Sequence, residues 1–446
     1  MSKGETVAQK YLLHYAENEV KLLAPHYAKF PKRLSHCLVI PAFNETVEFV
    51  NRLTRHQDSN NTLLVLVINR PDTTMERVKK SEAECEVTSK EKRHTKVCAN
   101  TLLFEAIATS SICIFNTENL SLQLYQGLAI LLVDRFSKTL EIPKKQGVGL
   151  ARKIGCDIIC ALSVNGALNT RWIHSSDADA FIPENYFRDS NLLGNESAQV
   201  FDFTHTNDNS ATALATQRYQ EALKYYRLAL EWAGSPYAFY TLGSTLAVNV
   251  FDYCRCRGFP RRAGGEDFYL LNKLAKLGAV VFNAKVTIVL QARLSCRVPF
   301  GTGPAVEKIL ALEDSDQHYV YYNPEIFVQL KSLLSFSHRQ IAPMIEQRFT
   351  EEQIANTINC KLSSQNQHAL SQLDFTSFIR HALRQCKVRT VFNKHFYDWF
   401  DAFTTLKYIH YLQVNHYPAI PLNDCIQGLS RLSRESSRKK QANQPQ

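Results

Sequence analysis

Two acidic patterns in this chain have the residue types and spacing for cation and proton chemistry. Asp177-Ala-Asp179 follows a short apolar stretch beginning at Trp172-Ile-His, and Glu266-Asp267 follows Gly264-Gly265. A hard divalent cation takes several oxygen ligands at short range. Two carboxylates spaced i, i+2 at the frayed end of a strand can therefore turn toward one ion and a nucleotide's phosphates. A general base needs a carboxylate within hydrogen-bond reach of the hydroxyl it deprotonates, and a glycine pair lets backbone approach a ligand beside Glu266 and Asp267. Capping of a helix N-terminus accounts for the same two acids without any ligand. Spacing alone decides little, because Asp-x-Asp arises by chance about once in a chain of this size. The second copy, Asp314-Ser-Asp316, lies between helical patterns with no strand before it and reads as a solvated turn.

A third stretch is basic. Gly147-Val-Gly149-Leu-Ala-Arg152-Lys153 opens a helix whose apolar face carries Leu150, Ile154, Ile158 and Leu162. Basic side chains near a helix start run against the macrodipole preference. They predict an anion supplied from outside, such as a diphosphate near Arg152 and Lys153; a solvated basic turn is the bland account.

The elements that must position these residues read as an α/β domain. An N-terminal helix within residues 1–33 precedes the apolar strand Leu34 to Ile40, which Pro41 stops before a polar loop with Asn44 and Glu45 and then an amphipathic helix. Ligands of parallel α/β sheets bind beyond the carboxyl ends of strands, where a base or ribose would meet Asn44 and Glu45. Thr62 to Ile68 is an unbroken apolar run, the pattern of a strand buried on both faces, and it ends in Asn69-Arg70-Pro71. Residues 101–115 and 120–136 are apolar and predict a helix, a strand and another helix. Further strands are expected at 199–204 and 279–290, with a long helix at 212–232 between them. A basic, glycine-rich loop containing Arg293 and Arg297 follows and could close over a departing nucleotide. From 304 to 430 the pattern is helical, with Thr350-Glu-Glu-Gln353 fitting a capping box. The basic stretch 431–446 lacks apolar periodicity and is expected to be a disordered tail.

The 446 residues, 45% hydrophobic with a net charge of +10, predict a large domain with an appended smaller one. Twelve cysteines show no zinc-type spacing and are expected to be reduced thiols. No secretion signal opens the chain and no apolar run reaches about 18 residues. The expectation is a cytoplasmic protein that meets any membrane-bound acceptor peripherally. The basic tail fits an anionic membrane surface, nucleic acid or simple solubility, but no nucleic-acid-binding motif accompanies it.

Taken in order, Val-Ile-Pro41-Ala-Phe-Asn44-Glu45, Gly-Val-Gly-Leu-Ala-Arg152-Lys-Ile-Gly, Asp177-Ala-Asp179 and Gly-Gly-Glu266-Asp267 resemble glycosyltransferase family 2 over about residues 36–303. The resemblance implies a GT-A fold, a Rossmann-like α/β architecture with a mostly parallel sheet, spanning 34–303 and followed by the helical C-terminal region. It implies a nucleotide-diphospho-sugar donor, a Mg²⁺ or Mn²⁺ ion, and inverting transfer to an acceptor hydroxyl on a polysaccharide, glycolipid or small glycoside. Carried over, Pro41, Asn44 and Glu45 border the nucleotide and Arg152 lies near the donor. Asp177 and Asp179 match the metal and diphosphate motif, with Asp179 as the direct metal ligand and Asp177 either nearer the ribose or supporting the ion from behind its ligands. Asp267, ahead of Glu266, is the base, and Arg293 and Arg297 assist the leaving group. The chain departs from the pattern at Asn69, where an acidic residue usually holds the base and an asparagine can still hydrogen-bond it, so that Asn69 stays among the nucleotide-binding residues, and at Lys153, usually asparagine. No third metal ligand follows Gly-Gly-Glu-Asp. These departures motivate a second reading, a catalytically degenerate nucleotide- or carbohydrate-binding scaffold. A nucleotidyltransferase would need a glycine-rich, arginine-containing N-terminal loop, which is absent.

Overall fold

The computed structural model describes residues 3–72, 98–191, 194–293 and 301–442. The chain divides into two units, each with its own core. The first contains the chain up to Thr206 and Thr241–Gln291; the second contains Asn207–Tyr240, Ala292 and Arg293, and the chain from Thr302 onward.

The first unit is built on ten strands: β1 His36–Ala42, β2 Thr62–Asn69, β3 Ile112–Thr117, β4 Leu120–Tyr125, β5 Leu128–Arg135, β6 Trp172–Ser175, β7 Ala180–Phe181, β8 Ala198–His205, β9 Leu246–Asn249 and β10 Val280–Leu290. They form one sheet in the order β3-β4-β5-β2-β1-β6-β9-β8-β10-β7. Its centre, β5-β2-β1-β6, is parallel, with Leu38 opposite Leu64 on one side and His174 on the other. The expected mostly parallel sheet is corrected to a mixed one. The β3-β4 and β4-β5 pairs are antiparallel, β9 runs antiparallel to both β6 and β8, and β7 is antiparallel to β10. Links as short as those between β3, β4 and β5 can join only antiparallel neighbours, since a parallel pair needs a crossover of a dozen or more residues. Residues 120–136 accordingly form a hairpin rather than the expected helix. β2 is buried at every position but its last, as its unbroken apolar run requires.

Helices cover the sheet. Glu48–Thr54 connects β1 to β2, and Gly147–Val164 precedes β6. The N-terminal segment is a helix at Lys3–His14, a short one at Glu19–Leu23 and a 3-10 turn at Ala24–Lys29.

The second unit is helical. Ala211–Ala233, expected within the 34–303 domain, groups here, because Tyr225, Ala229 and Leu230 share a buried cluster with Ile326, Phe327 and Leu330. Phe392, Phe396, Phe400 and Tyr408 fill the same core. The final helix, Leu422–Ala442, carries regular structure into the stretch expected to be disordered from 431. Leu422, Cys425 and Leu429 anchor its first half. Once nucleated, a helix propagates through polar residues that show no apolar period.

Candidate active site at the centre of the sheet

The crossover after β1 leads to β2 on one side, while the Gly147–Val164 helix delivers β6 to the other. This is a topological switch point, and open α/β sheets bind ligands in the crevice beyond the strand ends there. β1 ends at Ala42 and β6 at Ser175, so Asn44 and Glu45 follow one lip and Asp177 and Asp179 follow the other.

At the first lip a chain of amides fixes the loop. Asn44, in the left-handed region at φ 56°, donates its backbone N–H to Asn100 Oδ1 at 2.8 Å. Buried Asn100 donates in turn to the Asn69 carbonyl at 2.9 Å. The Asn69 amide donates to the carbonyls of Ala42 (3.1 Å) and Val67 (3.2 Å). Its amide donors thus tie β1 to β2 instead of facing a base. Pro41 occupies a partly exposed position opposite Val67, and Glu45 is half-buried.

At the second lip the organising group is Arg152, which is 3% exposed. Its Nε donates to Glu266 Oε1 at 3.1 Å, Nη1 to Ser175 Oγ at 2.9 Å and to the Ser176 carbonyl at 3.2 Å, and Nη2 to Asp177 Oδ1 at 2.7 Å. The guanidinium packs on Gly243, where a Cβ would lie 2.6 Å from Nη2; only glycine leaves that space. Ser175 and Ser176 donate to the carbonyls of Gly243 and Ser244, closing the buried polar shell. Burial alone would lower the Arg152 pKa, but Asp177, Glu266 and Asp267 outweigh it and hold the group more firmly charged.

The anion expected from outside is therefore supplied from within. Arg152 is neutralised by Asp177 and Glu266. Lys153 is 4% exposed and its Nζ donates to Tyr11 Oη at 2.6 Å and Asp157 Oδ2 at 2.8 Å. Both cations lie past the first turn of the Gly147–Val164 helix. Lys153 meets a carboxylate at the local i,i+4 spacing, while the partners of Arg152 come from distant segments.

Glu266 and Asp267 open the Glu266–Leu274 helix behind a left-handed Gly265. Glu266 is buried at 5% exposure; Asp267 keeps part of its surface on solvent. Burial, and then the neighbouring Glu266 charge, push the Asp267 carboxyl up to about 7, against the opposing pull of the Phe268 N–H and Arg152. A carboxylate poised there suits a general base working near neutrality.

Asp177 and Asp179 are both partly exposed, and Arg152 occupies only one Asp177 oxygen. Among the described residues no group of three or more His, Cys, Asp or Glu side chains could hold a metal alone. Mg²⁺ bound to a nucleotide needs only one or two carboxylates, the phosphates and water supplying the rest, and the hard oxygens of this pair fit that role. The control pair behaves differently. Asp314 Oδ1 accepts the Gln317 N–H at 3.4 Å at the start of a short helix.

The first unit thus brings together Pro41, Asn44, Glu45, Asn69, Arg152, Asp177, Asp179, Glu266 and Asp267 around β1 and β6. Arg293 groups with the second unit, and Arg297 lies outside the described residues. Sequence reasoning missed Asn100, Ser175, Ser176 and Arg52. The serines stood inside the acidic stretch itself; Asn100 and Arg52 carried no local signal. No family model matches this chain, and no curated protein matches it.

Proposed function

We propose that this protein is a metal-dependent, inverting glycosyltransferase of the GT-A type, moving a sugar from a nucleotide-diphospho-sugar to an acceptor hydroxyl on a carbohydrate or lipid-linked acceptor. One observation carries the reading. A single buried guanidinium, Arg152, binds both Asp177 and Glu266, joining the two acidic patterns into one site at the switch point of the sheet.

In this reading ionised Asp267 accepts the acceptor hydroxyl's proton as that oxygen attacks the anomeric carbon. The bond to the diphosphate oxygen breaks, and its electron pair leaves with the nucleoside diphosphate. Asp179, with Asp177, would hold the Mg²⁺ or Mn²⁺ ion, which supplies positive charge opposite the charge growing on the diphosphate. Arg152 fixes Asp177 and Glu266 in place, and Glu266 raises the proton affinity of Asp267.

The test is transfer or donor hydrolysis across a nucleotide-sugar panel with Mn²⁺, comparing wild type with Asp267→Asn and Asp179→Ala. Loss of the base or the metal ligand is expected to cost about 10²–10⁴-fold in turnover in folded variants. Undiminished turnover in both variants overturns the assignment. The engagement of Asn69 with backbone, where an acid would hold a base, favours the second reading of a binding scaffold. Metal-dependent nucleotide binding without transfer to any acceptor would select it.

A further inference from the structure

Arg152 holds the Asp177–Asp179 turn from one face of the sheet; a second arginine holds it from the other. Successive strand residues point to opposite faces. The Gly147–Val164 helix packs its Gly155 against Val39 of β1. The recess beside the turn is lined by the intervening Leu38 and Ile40 together with Phe49, Arg52, Asp177 and Phe181. Arg52, half-buried on the Glu48–Thr54 helix, donates Nη2 to the carbonyl of Ala178 at 3.0 Å. Ala178 is the residue between the two aspartates. The same guanidinium lies 4.1 Å from the centre of the Phe181 ring, beyond the second aspartate. Burial lowers the Arg52 pKa, and the nearby Asp179, Glu48 and Glu45 charges offset that in part.

We propose that Arg52 is a positioning residue for cation and diphosphate binding, clamping the Asp177–Asp179 turn through the Ala178 carbonyl and the Phe181 ring so that Asp179 is presented in a fixed orientation. The inference rests on the glycosyl-transfer reading for what the turn binds. Arg52 itself touches no substrate. Groups that orient a metal ligand typically contribute 10–100-fold to metal affinity, and a guanidinium over an aromatic ring adds a directional attraction that lysine reproduces only in part.

The experiment titrates Mn²⁺ with UDP, GDP or ADP into the full-length chain by calorimetry, with a melting temperature for each variant. Arg52→Met is expected to weaken Mn²⁺-dependent nucleoside diphosphate binding about tenfold or more. Arg52→Lys should recover part of the loss, and the Mn²⁺ concentration for half-maximal activity should rise with the loss while kcat at saturation changes less. Phe181→Leu, at a position 38% exposed, should give a smaller loss in the same direction and serves if Arg52→Met fails to fold. Folded Arg52→Met or Phe181→Leu protein binding as tightly as wild type overturns the clamp. Absence of Mn²⁺-dependent binding in wild type with all three nucleotides instead overturns the glycosyl-transfer reading beneath it.

Discussion

Glu266 and Asp267 are adjacent in sequence and opposite in circumstance: one is buried on Arg152, the other half-open with a carboxyl pushed up to about 7. The pair keeps a proton to higher pH than an isolated aspartate, which gives two expectations of definite sign. If Asp267 is the base, kcat/KM should rise with pH and level off above about 7, and Asp267→Asn should abolish that limb. Stability should run the other way. Between the ordinary aspartate value and about 7 the folded state binds more protons than the unfolded state, so this group lowers stability as pH rises through that window. Asp267→Asn should therefore gain in melting temperature relative to wild type as pH rises from about 4 to 7, with little difference at the acid end. A constant difference across the range would mean the carboxyl titrates normally. At this scale the acids were legible in sequence, and the Lys153–Asp157 pair sits at the local i,i+4 spacing, but the long-range partners of the two bases were not legible. Arg152 meets a carboxylate 114 residues away, and Lys153 a hydroxyl 142 residues away. Only tertiary folding creates such pairs.

At the level of elements, the polar network behind Lys153 joins the Lys3–His14 helix to the sheet-packing helix. Asp157 is fully buried and accepts from Tyr11 Oη at 2.5 Å, Tyr253 Oη at 2.9 Å, Lys153 Nζ at 2.8 Å and the Glu17 N–H at 2.9 Å. Asp157→Ala removes the closer carboxylate of buried Lys153, leaving it Glu17 at 3.9 Å, and should cost about 3–5 kcal/mol. Asp398→Ala, which breaks the exposed Lys394–Asp398 pair, should cost under about 0.5 kcal/mol. Denaturant unfolding distinguishes them, and equal small losses would show that the network is dispensable. Elements with strong local chemistry were readable. The unbroken β2 run is one; the Thr350 capping box is another, closing with Gln353 N on Thr350 Oγ1 at 3.2 Å and Thr350 N on Gln353 Oε1 at 2.9 Å. The β4-β5 hairpin was obscured by the apolar run through Phe136. Its signals are the alternation of Leu120, Leu122 and Leu124 and the Gln126-Gly127 turn, both residues at positive φ, the geometry that two-residue hairpins favour.

For the whole molecule, the sequence suggests a clean cut near residue 303, where composition turns helical, but the packing crosses that line. The Ala211–Ala233 helix comes from the middle of the chain, yet Tyr225 donates to the Tyr322 carbonyl at 2.7 Å and sets its ring against Phe327 at 5.9 Å. No local pattern announces this, because an amphipathic helix shows which face is apolar and not which partner covers it. A fragment ending at residue 303 would expose Tyr225, Ala229 and Leu230, each otherwise buried, and every large side chain so uncovered forfeits about 1.5–3 kcal/mol. Such a fragment should aggregate or be degraded. A chain ending at residue 430 loses only the far half of the last helix, whose Arg431, Arg434 and Arg438 are exposed, and should melt within about 2 °C of the intact protein. Size-exclusion chromatography with thermal melting compares the two. A 303-residue fragment that runs as a stable monomer would show that the 211–233 helix does not depend on the C-terminal helices for its burial.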